Sequence, residues 1–285
     1  MLRIAFALTV AILSIDAALA QPAADTLSKI KAAGIVNVAY SPDSLPFSLA
    51  GTGGEPAGYT IDLCKRVIAQ IGRTVGDPGI KVNWIPGSVS ERLDMVASGR
   101  AQLECANTTP TQSRLGRVDF SNLIFVDAGG LLVKAGSPIQ ATSDLSGKRV
   151  AVLKGTTTET RLADSLRSRL IDAKLIPIEN AADGIAMLEA GSADAYAGDK
   201  VKLVGLMATA KDPSAFALLA EDLSFEPYAL ALPRGDSALR LEVNKALTQV
   251  YTSRDIETIF NQWMGKLGRP SSVLATMYLL NSIPQ

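Results

Sequence analysis

Strand-like runs and helical stretches alternate along the whole body of the chain, and this rhythm narrows its fold more than any other feature. Residues 35–40, 81–85, 101–105, 149–153, 175–178, 193–197 (closing at Asp199) and 228–232 have the composition of short strands. Residues 61–71, 90–98, 159–170, 183–189, 239–251 and 255–264 carry helical periodicity between and after them. Such alternation predicts an α/β protein. No internal repeat or low-complexity segment interrupts it. Breaks fall at 126–130, which contains Gly129-Gly130, and at 222–227. If both are crossings between lobes, the middle third is a domain inserted into one built from both ends.

The first residues bear on compartment. Arg3 supplies a positive n-region, residues 4–15 form a short apolar stretch, and Ala18-Leu19-Ala20 gives the small-x-small pattern of a signal-peptidase site before Gln21. This pattern predicts a cleaved secretory leader, too short to make a comfortable membrane span. Gln21 rather than a cysteine stands directly after the cleavage point, so a lipid anchor is not indicated, and no second apolar run reaches spanning length.

Charge and residue usage exclude several classes of function. Lys+Arg and Asp+Glu balance at 28 each, so no strong overall field points to nucleic acid or anionic lipid. Histidine is absent, which removes His-based triads, metal sites and proton shuttles. Cys64 falls on the apolar face of a helix with Val67, Ile68 and Ile71, and Cys105 follows Leu103 in strand alternation. A helix-to-sheet disulfide and two separate buried thiols are both compatible with that placement; geometry decides between them.

Several segments, in order from about residue 27 to the end, resemble the periplasmic polar-amino-acid-binding proteins of ABC importers, bacterial solute-binding family 3. Ser44-Leu45-Pro46-Phe47 followed by Gly58-Tyr59-Thr60-Ile61-Asp62-Leu63 is similar to the family's opening motif. Arg92-Leu93 through Ser98-Gly99 resembles its next helix. Thr109-Pro110-Thr111-Gln112-Ser113-Arg114 with Val118-Asp119-Phe120-Ser121 resembles its "T.T..R…DFS" block. Gly155-Thr156-Thr157, the strand ending at Asp199, and Ile259-Phe260-Asn261-Gln262-Trp263 complete the likeness, and Leu103 to Thr109 is most similar to glutamate/aspartate-binding members.

The resemblance implies a type II periplasmic-binding-protein fold, with two α/β lobes joined by two hinge strands and a ligand cleft between them. Its implied layout is a signal peptide at 1–20, a discontinuous first lobe at 26–126 and 226–285, and an inserted second lobe at 127–225. The implied partners are a free amino acid and the importer's permease subunits, with no cofactor, no metal, no nucleic acid and no stable membrane insertion; the protein is expected to act as a monomer in the periplasm.

A free amino acid sets definite demands on such a cleft, because a buried carboxylate and a buried ammonium must each be paired. By resemblance, Arg114 takes the α-carboxylate as a planar bidentate donor. Thr109 adds a hydroxyl and an N–H, or simply caps a helix. Gly155, Thr156 and Thr157, between strand and helix, offer backbone N–H groups at the favourable dipole end. Asp199 takes the ammonium, with Asn107 offering its carbonyl nearby; the plainer roles are a helix cap and turn chemistry. Phe47 supplies apolar cover or holds the first lobe's loop, whereas Tyr59 is expected to pack. Ser41, Ser44 and Val89 line the pocket with Arg92, which either meets a distal carboxylate or holds the loop. Acidic-ligand relatives carry an Arg in the loop that here reads Tyr40-Ser41-Pro42-Asp43, and a His where Ala181 stands. These departures leave an amide or small polar side chain open beside an acidic one. The alternative from another class is a cyclohexadienyl (arogenate/prephenate) dehydratase on the same scaffold, with Glu91, Asp94 or Glu104 as nominal acids.

Overall fold

The computed structural model describes residues 25–282; the expected leader at 1–20 lies outside the described residues. Helix α1 (Thr26–Ala33) leads into strand β1 (Ile35–Tyr40), and a small antiparallel sheet follows, formed by β2 (Asp43–Ser44), β3 (Ser48–Ala50) and β4 (Pro56–Ala57). Then come α2 (Tyr59–Val75), β5 (Lys81–Pro86), α3 (Val89–Ala97), β6 (Leu103–Cys105), α4 (Gln112–Leu115) and the long strand β7 (Val118–Lys134). The middle of the chain supplies β8 (Arg149–Leu153), α5 (Thr157–Ser168), β9 (Lys174–Ile178), α6 (Ala181–Ala190), β10 (Ala195–Asp199), α7 (Lys200–Met207) and β11 (Phe216–Leu218). Strand β12 (Ser224–Pro233) returns beside β7, and α8 (Ser237–Thr252), α9 (Asp255–Met264) and α10 (Ser272–Leu280) follow.

The larger sheet runs β5-β1-β6-β12-β7-β10-β8-β9, with β11 also on β7. Its two ends are parallel: β1 pairs with β5 and β6, and β8 pairs with β9 and β10. At its centre β7 and β12 run antiparallel from Ser224 opposite Gly129 to Pro233 opposite Val118. Along β7 and β8 the side chains alternate between two cores. Leu131, Val133, Val150 and Val152 join one, while Leu132 and Ala151 join the other. Both faces of this sheet are therefore covered, which is why its strands are apolar without a polar alternate.

The buried apolar residues divide by chain position. One pair of cores draws on residues 30–125 and 228–278, the other on residues 131–219. Each group packs helices on both sides of its own part of the sheet, and this gives two lobes. The segments expected as breaks are strand: 126–130 lies inside β7, and Ser224 to Pro227 lies inside β12. Gly129 and Gly130 do not interrupt pairing there. They admit close neighbours, since a Cβ on Gly129 would collide with the Ser224 side chain and one on Gly130 with the aliphatic stem of Lys200.

Cys64 on α2 and Cys105 on β6 form a disulfide, with Cα atoms 6.3 Å apart. The covalent link ties the first lobe's helix to the strand that precedes the candidate ligand loop. The helical spacing expected near the C-terminus is realised in α10, which turns Leu274, Met277 and Tyr278 inward and leaves Val273 and Leu280 exposed. Tyr278 seats the helix by hydrogen bonding, hydroxyl to hydroxyl, with buried Tyr59 at 2.8 Å.

Candidate functional site

Three loops from the first lobe and two helix starts from the second converge on a cavity of about 60 Å³. The strand β6 ends at Cys105 and delivers Asn107 and Thr108. The loop after β1 delivers Ser41, Asp43 and Ser44, and the start of α3 delivers Ser88, Val89 and Arg92. From the opposite side come Thr156, Thr157 and Thr158 at the start of α5, and Asp199 and Lys202 at the start of α7. Arg114, on α4, lines the same cavity.

Helix α5 begins as its sequence dictates. Gly155 adopts φ +75°, which L side chains rarely adopt, and turns the chain from β8 into the helix. Thr156 is the N-cap: its hydroxyl accepts from the Glu159 N–H at 3.1 Å, while Glu159 accepts from the Gly155 N–H at 2.7 Å. Across the cleft, Arg114 donates to the Thr109 carbonyl at 2.7 Å and to the Gly155 carbonyl at 3.2 Å, so it touches both lobes. Burial lowers its pKa from the usual guanidinium value, opposed by the carboxylates of Glu104, Glu226 and Asp199. Such a group stays charged at every physiological pH.

Asp199 occupies the N-cap position of α7, yet its side chain caps nothing. It accepts instead from Thr158 at 2.8 Å, Asn107 at 3.0 Å and Tyr228 at 2.7 Å. Three donors on a carboxylate with about four acceptor sites hold it in place and leave room for one more. Asn107 therefore turns its amide N–H₂ toward Asp199, and its carbonyl is the end left for a ligand. The α7 N–H at Val201 is met by Asp127 at 3.1 Å. Burial and the neighbouring charge of Asp199 raise the Asp127 pKa from 3.8 to about 7, against the backbone donors Ala128 and Val201 and the Tyr228 hydroxyl.

Glu226, on β12, is 1 % exposed and joins the lobes from beneath. It accepts from Thr109 of the first lobe and Thr157 of the second, each at 2.6 Å, and from Ser224 at 2.6 Å. The hydroxyls of Thr109 and Thr157, expected to face a ligand, are thus turned to this carboxylate. Thr157 still lines the cavity, whereas Thr109 and Gly155 do not. No sequence signal singled out Glu226, because only the tertiary pairing of β7 with β12 sets it between the two threonines.

Arg92 lines the cavity but is itself paired. Its Nε donates to Glu104 at 2.7 Å and its Nη1 to the Gly87 carbonyl at 2.9 Å, so it holds the loop before α3. Glu104 is fully buried, accepts also from Thr108 at 2.8 Å, and keeps one oxygen without a partner. Ser41 and Val89 line the cavity. Phe47 does not; it is fully buried and packs edge-on against Phe125 and Tyr228, with ring centres 5.0 and 5.1 Å away. Its motif position places it behind the loop wall, where it supports Tyr228 and hence Asp199. Tyr59 packs in the same cluster and donates to the Ile124 carbonyl at 2.7 Å.

Four charged residues of the cavity are not singled out by the sequence: Lys154 and Glu179, which pair with each other at 3.0 Å, and Asp43 and Lys202. Asp43 accepts from Ser41 at 3.0 Å and, across the cleft, from the Ala181 N–H at the start of α6 at 3.0 Å. Burial works to raise its pKa, but Lys202, the Ala181 N–H, Ser41 and Arg92 outweigh it and bring the carboxyl below its ordinary value. Lys202 is 6 % exposed and makes no hydrogen bond or ion pair among the described residues. Burial lowers its pKa, while Asp43 and Asp199 hold it up. A faint signal existed: Lys202 follows Asp199 by three residues, which puts both on one side of a helix start.

Among known proteins, the family described as bacterial extracellular solute-binding proteins, family 3, matches residues 36–266. The L-glutamate/L-aspartate-binding protein of Pseudomonas aeruginosa is 34% identical over 239 residues, covering 84% of this chain and 79% of that one. The ABC transporter glutamine-binding protein GlnH of Bacillus subtilis is 29% identical, covering 84% and 85%. Among solved structures, the ancestral amino acid-binding protein AncCDT-1, a precursor of cyclohexadienyl dehydratase, superposes with a TM-score of 0.71 at 27% identity, over 84% of this chain and 99% of that one.

Proposed function

The chain belongs to the bacterial extracellular solute-binding proteins of family 3, and from that premise we propose that its two lobes close on one free polar or acidic L-amino acid for delivery to an ABC importer. The observation that carries this reading is the pairing of opposite charges across one cavity. Arg114 stands on the first lobe and Asp199 on the second, and both line the space between them. A zwitterion matches that pair. Its α-carboxylate meets Arg114 and the N–H groups at the start of α5, and its α-ammonium meets Asp199 and the Asn107 carbonyl. Ser41, Val89 and Arg92 shape the remainder of the pocket.

Only the closed arrangement brings both sets of contacts to one molecule. Ligand binding therefore shifts the open–closed equilibrium by its differential affinity for the two states. The lobes in this reading comprise residues 26–126 with 226–285, and residues 127–225, hinged where β7 and β12 cross between them. Residues 1–20 direct export and are removed, the mature chain works as a monomer in the periplasm, and the permease subunits recognise the closed form. No chemical step is needed. Glu104, a nominal acid for a dehydratase, does not line the cavity, and one of its oxygens is engaged with both Arg92 and Thr108 while the other has no partner.

The test is a thermal-shift panel of the amino acids on ligand-stripped, refolded protein, with prephenate and arogenate turnover assayed alongside. A ligand at 100 times its Kd stabilises by about 2.7 kcal/mol, so the preferred amino acid stands out. Arg114→Ala is expected to abolish every shift. An intact shift for the best ligand in that variant contradicts the assignment, and turnover of either acid contradicts a purely binding role.

A further inference from the structure

Resting on that reading, we infer that the pocket selects an amino acid whose side chain ends in a carboxamide, held by Lys202 at its carbonyl and by Asp43 at its N–H₂. Two observations carry the inference: what each charged group already holds, and the sum of their charges.

Around the start of α6 the cavity contains Asp43, Arg92 and Lys202, with Glu104 behind; Glu179 and Lys154 also line it but neutralise each other in an ion pair at 3.0 Å. Arg92 already donates to Glu104 and to the Gly87 carbonyl. Asp43 accepts one hydrogen bond on each oxygen, from Ser41 and Ala181, and keeps further lone pairs. The Lys202 ammonium is engaged by nothing among the described residues, although its side chain is buried and lines the cavity. The ammonium opens on the cavity, and a ligand that displaces water from it must supply an acceptor or leave the charge unpaired. The unmet demand on this side is therefore for an acceptor, and the residual capacity beside it is the Asp43 carboxylate, which takes a donor. A carboxamide supplies both within one planar group.

Charge separates the amide from the acid. Arg92 and Lys202 are two cations, and Glu104 and Asp43 are two anions, so the quartet is neutral before any ligand enters. A ligand carboxylate would add an uncompensated charge beside Asp43; an amide adds none. A deprotonated Lys202 would leave the quartet negative and suit an acid still less. A ligand ammonium or guanidinium would satisfy Asp43 but leave Lys202 without its acceptor and facing a like charge.

Isothermal titration of the ligand-stripped full chain with L-glutamine, L-asparagine, L-glutamate, L-aspartate, L-lysine and L-alanine tests this. One of the two amides is expected to bind at least about tenfold more tightly than its own acid, a difference of ~1.4 kcal/mol. Lys202→Met, close in volume, is expected to weaken the amide at least about tenfold more than it weakens alanine, because alanine does not reach the group. Asp43→Asn is expected to narrow the gap between amide and acid by relieving the acid's repulsion. Tighter binding of an acid or of lysine by the wild type overturns the inference and leaves the amino-acid reading standing. So does an equal loss for alanine and the amide in Lys202→Met, or an unchanged amide-to-acid ratio in Asp43→Asn. Failure of every amino acid to bind overturns the underlying reading as well.

Discussion

The two sides of the cavity are built on different principles. On the side formed by the start of α5, Arg114 and Asp199 are held by neighbours that leave their charges available: backbone carbonyls for the guanidinium, and Thr158, Asn107 and Tyr228 for the carboxylate. On the side formed by the start of α6, Arg92 is neutralised by Glu104, and Asp43 lies in the field of Lys202. The first side presents separated opposite charges to whatever enters; the second presents a region whose charges already cancel. In the proposed reading, what every free amino acid shares is met by separated charges, and what distinguishes one amino acid from another is met by a balanced set. A binding site can thus be strict about the class of its ligand and tuned in its choice within the class.

Removing a charge from the first side is the largest perturbation available. Asp199→Ala leaves a ligand ammonium buried without its partner, a loss of about 3–5 kcal/mol. Titration calorimetry is expected to show all amino acids weakened by more than about a hundredfold, irrespective of side chain. A loss confined to some side chains would erase the distinction between the two sides. The substitutions at Lys202 and Asp43 are smaller and must act selectively for the distinction to hold.

A gentler probe uses Asp127, which lies against Asp199 and carries a pKa raised from 3.8 to about 7. Between these values the folded protein keeps a proton that the unfolded chain has released. Stability therefore falls as pH rises from about 4 to about 7 and levels off above, with a slope of at most about 1.4 kcal/mol per pH unit for one group. Denaturant titrations across that range should show this component in the wild type and its loss in Asp127→Asn. An identical pH profile in the variant would mean that Asp127 and Asp199 do not share the field described here.

How much of this could be read beforehand follows the same division. The places of Arg114, Asp199, Thr156 and Thr157 at the cavity are legible because their segments resemble family motifs, helped at α5 by the local Thr156–Glu159 cap. The strand and helix order was legible because apolar periodicity is local. That the segments 126–130 and 222–227 run as strand is less legible, since Gly129-Gly130 signals a turn in isolation; only the approach of Ser224 and Lys200 explains glycine within a strand. Glu226, Asp43 and Lys202 were missed for a related reason. Each is an unremarkable charged residue in its own segment, and each gains its role from a group more than sixty residues away or in the opposite lobe. Phe47 belongs to a matched motif, yet its ring serves the wall behind the cavity rather than the cavity itself.

The most direct test of zwitterion capture varies the ligand and leaves the protein untouched. The amino acid giving the largest thermal shift should be titrated beside two analogues, one lacking the α-amino group and one with the α-carboxylate converted to a primary amide. Each change strands one member of the Arg114–Asp199 pair, and each analogue is expected to bind at least about a hundredfold more weakly, ~2.7 kcal/mol. Binding of either analogue as tight as that of the parent would contradict the account.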